Sequence, residues 1–213
     1  MLKFMFKKVK AVAKELVIAF FFSAFILFFI FILFGNKIEK TSSLINKLFV
    51  FNGYYEKKEK DIKIDKIKKR LTHYPSYGEA FGSVQIPSVS IDVTLYHGES
   101  LSVLKYGLGH HAGSLFPGEG GTIIIAGHNT YGQFYTLPQV KVGDIVIINT
   151  IYGTYNYEVT STDIAEAKVL GHNLKISHDE ETIMLYTCYP VETPGYKTQR
   201  FVVYGRLVGE SNE

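Results

Sequence analysis

Three short stretches carry the residues that could do chemistry in this 213-residue chain: "AGHNT", "LYTCYP" and "QRFVVYGRL". The second holds Cys188, the only cysteine. One thiol cannot close an internal disulfide, so it serves either as a small buried apolar residue or as a nucleophile. Cys188 ends the apolar run "TIMLYTC" and precedes Pro190 by two positions. After the eleven-residue connection 189–199, Arg200 opens the run "RFVVYGRL". Antiparallel pairing of the two runs would set Cys188 and Arg200 side by side. The chain uses twenty lysines and only three arginines, Arg70, Arg200 and Arg206. A planar fork with five donors suits a carbonyl oxygen that gains negative charge during acyl transfer. The plainer alternative is an ordinary strand-edge arginine, as Arg206 can be. His128 follows "TIIIAG" at the mouth of a loop, where an imidazole can face a cleft and move protons near neutral pH. Seven histidines compete for that part, and the pair His110–His111 in "GLGHHAGS" are the obvious rivals. Thiol, imidazole and guanidinium together would serve covalent acyl transfer.

Such a trio needs a rigid frame. From about Tyr77 onward the sequence becomes short apolar runs broken by Gly, Pro, Asn and Asp. Candidate strands are "SVQIP", "VTLYHG", "TIIIAGH", "DIVIIN", "YNYEVTST", "TIMLYTC" and "RFVVYGRL", with turn signals in "PGEGG", "KVGD" and "IYGT". Seven or eight short strands with few helix-length runs predict an all-β barrel or sandwich. "TIIIA" is apolar throughout rather than alternating, which places it where both sheet faces are covered. No internal repeat, zinc-ligand spacing, Gly-rich phosphate loop or EF-hand loop is present.

The amino-terminal part is of another kind. Leu16 to Phe34, "LVIAFFFSAFILFFIFILF", runs nineteen residues without a charge, and Ser23 is its only polar residue. At about 1.5 Å per residue such a run can cross a hydrocarbon core of about 30 Å. It ends in "FGNKIEK", which lacks the small-x-small exit of a cleaved signal peptide. Five lysines (Lys3, Lys7, Lys8, Lys10, Lys14) precede it and three (Lys37, Lys40, Lys47) follow closely. That bias favours an amino terminus inside and the bulk of the chain exported. Residues 1–34 carry +4, residues 35–75 carry +6 and residues 76–213 carry −7, which together give the net +3. The acidic globular part argues against a nucleic-acid partner. The sequence thus divides into a short basic cytoplasmic segment 1–15, an anchor 16–34, a basic stalk 35–75 and a β-domain 76–213. The stalk's charges are read as solvated, with attraction to anionic lipid as the alternative.

Taken in order behind an amino-terminal anchor, "AGHNT", "LYTCYP" and "QRFVVYGRL" resemble the sortase family. The resemblance extends through "IPSVSIDVTLYHG", "FPGEGGTIIIAGH" and "KVGDIVII", and so covers nearly all of residues 77–209. "TCYP" and "GHHAGSLFPGEGG" look most like the class D members. The resemblance implies an eight-stranded β-barrel with short helices and loops and the site at one end. It implies a catalytic triad of His128, Cys188 and Arg200. It further implies a membrane-anchored cysteine transpeptidase of a Gram-positive cell envelope, with the catalytic domain outside the membrane. Its donor substrates would be exported proteins bearing a sorting signal of the Leu-Pro-x-Thr-Gly (LPxTG) kind. These would be cut between Thr and Gly and joined through a Cys188 thioester to a peptidoglycan precursor or another amine acceptor. No cofactor is implied, and modulation by Ca²⁺ stays open.

Two departures bear on subclass. Many class D relatives carry "GHRDT" where this chain has "GHNTYGQF". Residues 35–85 contain no Asp-Pro-aromatic tripeptide of the kind that lids many class C pilin polymerases. A pilin polymerase and a cysteine peptidase that merely hydrolyses remain the alternatives, and an exported β-barrel adhesin with a buried cysteine is the non-enzymatic one. An L,D-transpeptidase is excluded, because that family sets its cysteine and arginine almost adjacent whereas Cys188 and Arg200 are twelve positions apart.

Overall fold

The computed structural model describes residues 14–29, 62–65, 67–168, 176–192 and 195–211. The chain divides into two units, Met1–Ser42 and Ser43–Glu213. In the first, residues 14–29 form a helix, α1, exposed on every side. A helix apolar all round buries none of its surface in water, which is the condition of a segment that needs lipid or protein around it. Among the described residues no helix is long and apolar enough to cross a membrane. Positions 30–34 of the expected 16–34 span lie outside the described residues, as do 1–13.

The second unit is built on strands. A two-stranded hairpin, β1 (Ile64–Asp65) and β2 (Arg70–Leu71), precedes β3 (Ala80–Ile86) and β4 (Ile91–His97). A one-turn helix, α2 (Leu101–Leu104), leads to the short β5 (Leu108–His110). Then come β6 (Thr122–Gly127), β7 (Ile145–Thr150), β8 (Gly153–Glu166), β9 (Thr182–Tyr189) and β10 (Gln199–Ser211). Eight strands close into a barrel in the order β10-β8-β7-β3-β4-β5-β6-β9. All neighbours are antiparallel except β4–β5 and β6–β9. Of the all-β barrel and sandwich that the strand pattern allows, the chain forms the barrel, as the family resemblance implies.

Alternation decides which side chains fill it. Along β8, Tyr155, Tyr157 and Val159 point into the core between the less buried Thr154, Asn156 and Glu158. β3 departs from strict period two, with Phe81, Val84 and Ile86 all in the core. A bulge between Ala80 and Gly82 restores the facing by adding one residue. In β6 every residue is buried. Ile123 and Ile125 belong to the barrel core, while Ile124 packs outside with Met184 and Val202. The uniformly apolar "TIIIA" is thus covered on both faces, as its composition predicted.

Three features differ from the sequence reading. β5 is three residues long and glycine-bearing, too short to show a period. The charge of residues 62–75 puts them in the stalk on sequence grounds, yet Ile62 and Leu71 are each only 5% exposed and join the barrel core. Two buried apolar residues anchor the basic hairpin, whatever the charge of its turn. Finally, Glu181 carries no sequence signal of a partner, yet it is held within the fold. Its carboxylate accepts from the Gly118 and Gly120 amides (both 3.0 Å) and from the Tyr157 hydroxyl (2.6 Å). Hydrogen bonds to charged groups contribute about 1.5–3 kcal/mol each. Burial, and then the charge of Glu181, push the Tyr157 phenol pKa up and keep it a donor.

Candidate active site

The register of three adjacent strands brings the sequence-nominated residues together. In the antiparallel β9–β10 pair, Cys188 and Arg200 are direct Cα partners. In the parallel β6–β9 pair, Ala126 faces Tyr186 and Gly127 faces Thr187. His128 is the next residue of that strand's path, level with Cys188. Ile125, Leu185 and Val203 point inward, whereas Ile124, Met184 and Val202 pack on the outer face. Period two then assigns Cys188 and Arg200 to the outer face, and His128 continues the same parity. The three form a row at one end of the barrel wall, above an outer apolar patch bordered by Tyr186 and Tyr204. Cys188 is free and partly exposed, so a reagent or substrate can reach it.

The inward neighbours hold this end rigid. The Thr187 hydroxyl donates to the Gly127 carbonyl at 2.9 Å, tying β9 to β6 immediately below the row. A Cβ on Gly127 would lie 2.5 Å from side-chain carbons of both Leu108 and Phe134, so only glycine fits before His128. The His128 amide donates to the Gln133 side-chain oxygen at 2.7 Å, and its carbonyl accepts from the Phe134 amide at 3.0 Å. Gln133 in turn donates to the Leu104 carbonyl at 2.7 Å. These contacts fix the backbone of His128. Its ring is half-buried, and that burial pushes its pKa below the ordinary 6.5. A neutral imidazole at pH 7 can accept a proton.

The Arg200 guanidinium is tethered through Nη1, which donates to the carbonyls of Gln199 (2.8 Å) and Lys197 (3.1 Å). Nε and Nη2 carry further donors for a ligand. Beside this row lies a network that sequence reasoning missed. The Tyr186 hydroxyl donates to Glu99 Oε2 at 3.0 Å, and Glu99 Oε1 pairs with His111 Nδ1 at 2.5 Å. Burial first, then Glu99, pushes the Tyr186 phenol pKa up, while Arg200 and Cys188 also act on it electrostatically. Tyr186 shares the outer face of β9 with Cys188, two positions away, so period two could have nominated it. Glu99 is 87 positions from Tyr186 and carries no such signal.

The rival histidines separate. His111 flanks the row through Glu99. His110 is sealed in the core, with Nε2 at 2.8 Å from the Leu115 carbonyl and its ring centroid 4.3 Å from that of Phe116. Burial pushes its pKa down to about 4, which marks a neutral core histidine. Among the described residues no group of three His, Cys, Asp or Glu side chains gathers as a metal site.

The sequence matches the model of the sortase domain over residues 84–208. It is 29% identical over 144 residues to Sortase D of Bacillus subtilis, an alignment covering 68% of this chain and 72% of that protein. The fold resembles a Clostridium perfringens sortase D5 transpeptidase with a TM-score of 0.60 and 23% identity, over 79% of this chain and 99% of that one. It also resembles sortase A of Listeria monocytogenes with a TM-score of 0.56 and 25% identity, over 63% and 90% of the two chains.

Proposed function

The chain belongs to the sortase family of transpeptidases, and we propose that it is a class D-like, membrane-anchored member that attaches exported proteins to a cell-envelope amine. The observation that carries this reading is the register, in which Cys188 and Arg200 are Cα partners on β9 and β10 and His128 extends β6 beside them. The donor is a sorting signal of the LPxTG kind. Cys188 Sγ attacks the Thr carbonyl carbon, and the proton from the thiol resides on His128. The donors of Arg200 hold the oxygen that becomes negative. His128 returns the proton to the leaving Gly amine, the C–N bond breaks, and a thioester remains. An incoming amine attacks that thioester, yields its proton to His128, and leaves as the new amide while Cys188 regains its hydrogen. The acceptor is a peptidoglycan precursor or another cell-wall amine.

Anchoring by residues 16–34 with the amino terminus inside rests on the apolar run and its lysine bias. The helix over 14–29, exposed on all sides, fits a lipid environment. The deciding experiment is nucleophile competition. With a peptide bearing the sorting signal, added triglycine diverts the acyl-enzyme from free acid to amide in proportion to its concentration. If the acid product is undiminished at saturating triglycine, the protein is a hydrolysing cysteine peptidase instead.

Arg200 gives a second test. Lysine keeps the charge but replaces a fork tethered through Nη1 with one flexible ammonium. Arg200→Lys lowers turnover by about 10²–10³-fold, as loss of an oxyanion donor does. The alkylation rate of Cys188 changes far less, and Arg206→Lys ligates normally, because Arg206 is exposed and paired with Glu158 at 2.8 Å. Near-normal ligation by Arg200→Lys, or equal losses in alkylation and ligation, would exclude the directed-donor role.

A further inference from the structure

A cavity of about 560 Å³ is walled by Lys68, Lys69, Arg70, His97 and His178. That volume falls within the roughly 300–1,000 Å³ of small-molecule sites. Its sign is opposite to that of its surroundings, because residues 76–213 carry −7. Among the described residues, no carboxylate is paired with Lys68, Lys69 or Arg70. Among the described residues the single acid in the wall, Glu119, has both oxygens engaged. Oε1 accepts from the Leu71 amide (3.2 Å) and the Tyr74 hydroxyl (2.6 Å), and Oε2 accepts from the Phe116 amide (2.9 Å). Glu119 therefore shapes the wall and has little capacity left to bind a ligand's donors.

The lysines are held by the β1–β2 turn. Asp65 Oδ1 accepts from the amides of Ile67 (3.0 Å) and Lys68 (3.1 Å), and Lys69 sits in the left-handed region with φ 48°. The Lys69 side chain reaches across to Gly120, where an added Cβ would lie 3.7 Å from its Cδ. Hairpin and β5–β6 connection thus face each other across the cavity. His97 enters from β4, with Nδ1 at 3.3 Å from His110 Nδ1, so that Nε2 is its remaining polar atom. The aromatic rings of Tyr74 and Phe116, 5.4 Å apart, line an apolar side.

We infer that this cavity binds a phosphate ester, with the phosphoryl oxygens on Lys68, Lys69, Arg70 and His97 and the esterified alcohol against Tyr74 and Phe116. Phosphate offers the oxygens that Arg and Lys together satisfy. The cavity lies at the Thr122 end of β6, whereas His128 follows the Gly127 end. Thr122 and His128 are six residues apart, roughly 20 Å along a strand that rises about 3.3 Å per residue. It is a distinct site. The same chemistry is available from the headgroup of an anionic phospholipid or from a soluble or polymeric glycerol phosphate.

The test uses the full chain in phosphatidylcholine nanodiscs. Glycerol 3-phosphate and inorganic phosphate are titrated against it by calorimetry, and the His97 ring is followed by NMR. Burial holds the His97 pKa below 6.5, and a bound phosphate raises it. The expected result is saturable binding with an upward shift at His97, both weakened roughly tenfold or more in Lys68→Ala/Lys69→Ala/Arg70→Ala. An unchanged thermal transition shows that this variant is folded, whether or not the enzyme ligates. If the His97 shift arises only when phosphatidylglycerol is added to the discs, and is lost in the triple variant, the ester comes from lipid. Absence of the His97 shift in all arms, or binding undiminished in the triple variant, overturns the site.

Discussion

Cys188→Ala abolishes both cleavage and ligation while the barrel stays intact. The structural side follows from position. Cys188 lies near the end of β9, partly exposed on the outer face, outside both apolar clusters. Trading its sulfur for a hydrogen leaves no sealed cavity, so the cost in stability is well below the roughly 2–5 kcal/mol of large-to-small core changes. The register that aligns β9 with β10 is set by backbone pairing and by inward Leu185 and Val203, none of which the substitution touches. The chemical side follows from the proposed mechanism, in which the acyl intermediate forms on Sγ, and no other thiol exists in the chain. Iodoacetamide labels the native protein once and the variant not at all. The measurement is peptide turnover beside the thermal unfolding midpoint. Retained turnover in a folded Cys188→Ala variant would mean that the cysteine only packs and that another group does the chemistry.

That pairing of Cys188 with Arg200 was legible before the structure because strand arithmetic is local. Two apolar runs joined by an eleven-residue connection have one antiparallel solution that sets their joined ends together. The position of His128 was legible because it directly follows a fully apolar strand, whose last residue, Gly127, is crowded by Leu108 and Phe134. Non-local features were not. Glu99 reaches Tyr186 only because β4–β5 and β5–β6 pairing folds the Gly98 loop over the outer face. The role of Glu181 was hidden similarly, because its partners at Gly118, Gly120 and Tyr157 come from other parts of the chain. Composition misled at the hairpin, where Lys68, Lys69 and Arg70 outnumber the two apolar residues, Ile62 and Leu71, that seat it.

His128→Ala is expected to lower ligation by roughly 10²–10⁴-fold, because in the proposed mechanism one ring moves the proton in both half-reactions. Its backbone clamps, the Gln133 side chain and the Phe134 amide, bind main-chain atoms and survive the substitution. The loss therefore falls on kcat more than on KM. The pH profile supplies a sign that a packing defect cannot imitate. Burial places the folded pKa of His128 below 6.5, so the ring is neutral at pH 7 and becomes protonated only as pH falls through that lowered value. Activity that needs the neutral ring to take the thiol proton shows an acid limb below 6.5, and the residual activity of His128→Ala lacks it. Stability carries the same sign, since the unfolded ring binds its proton more readily below pH 6.5 and the folded state loses ground as pH falls. The rivals behave otherwise. His110→Ala opens a hole beside Phe116 and lowers the unfolding temperature, with the remaining folded enzyme keeping its acid limb. His111→Ala releases Glu99 and reduces turnover modestly through Tyr186. A dead His111→Ala alongside an active His128→Ala would move the proton-transfer role to the Glu99 network and sink the assignment of His128.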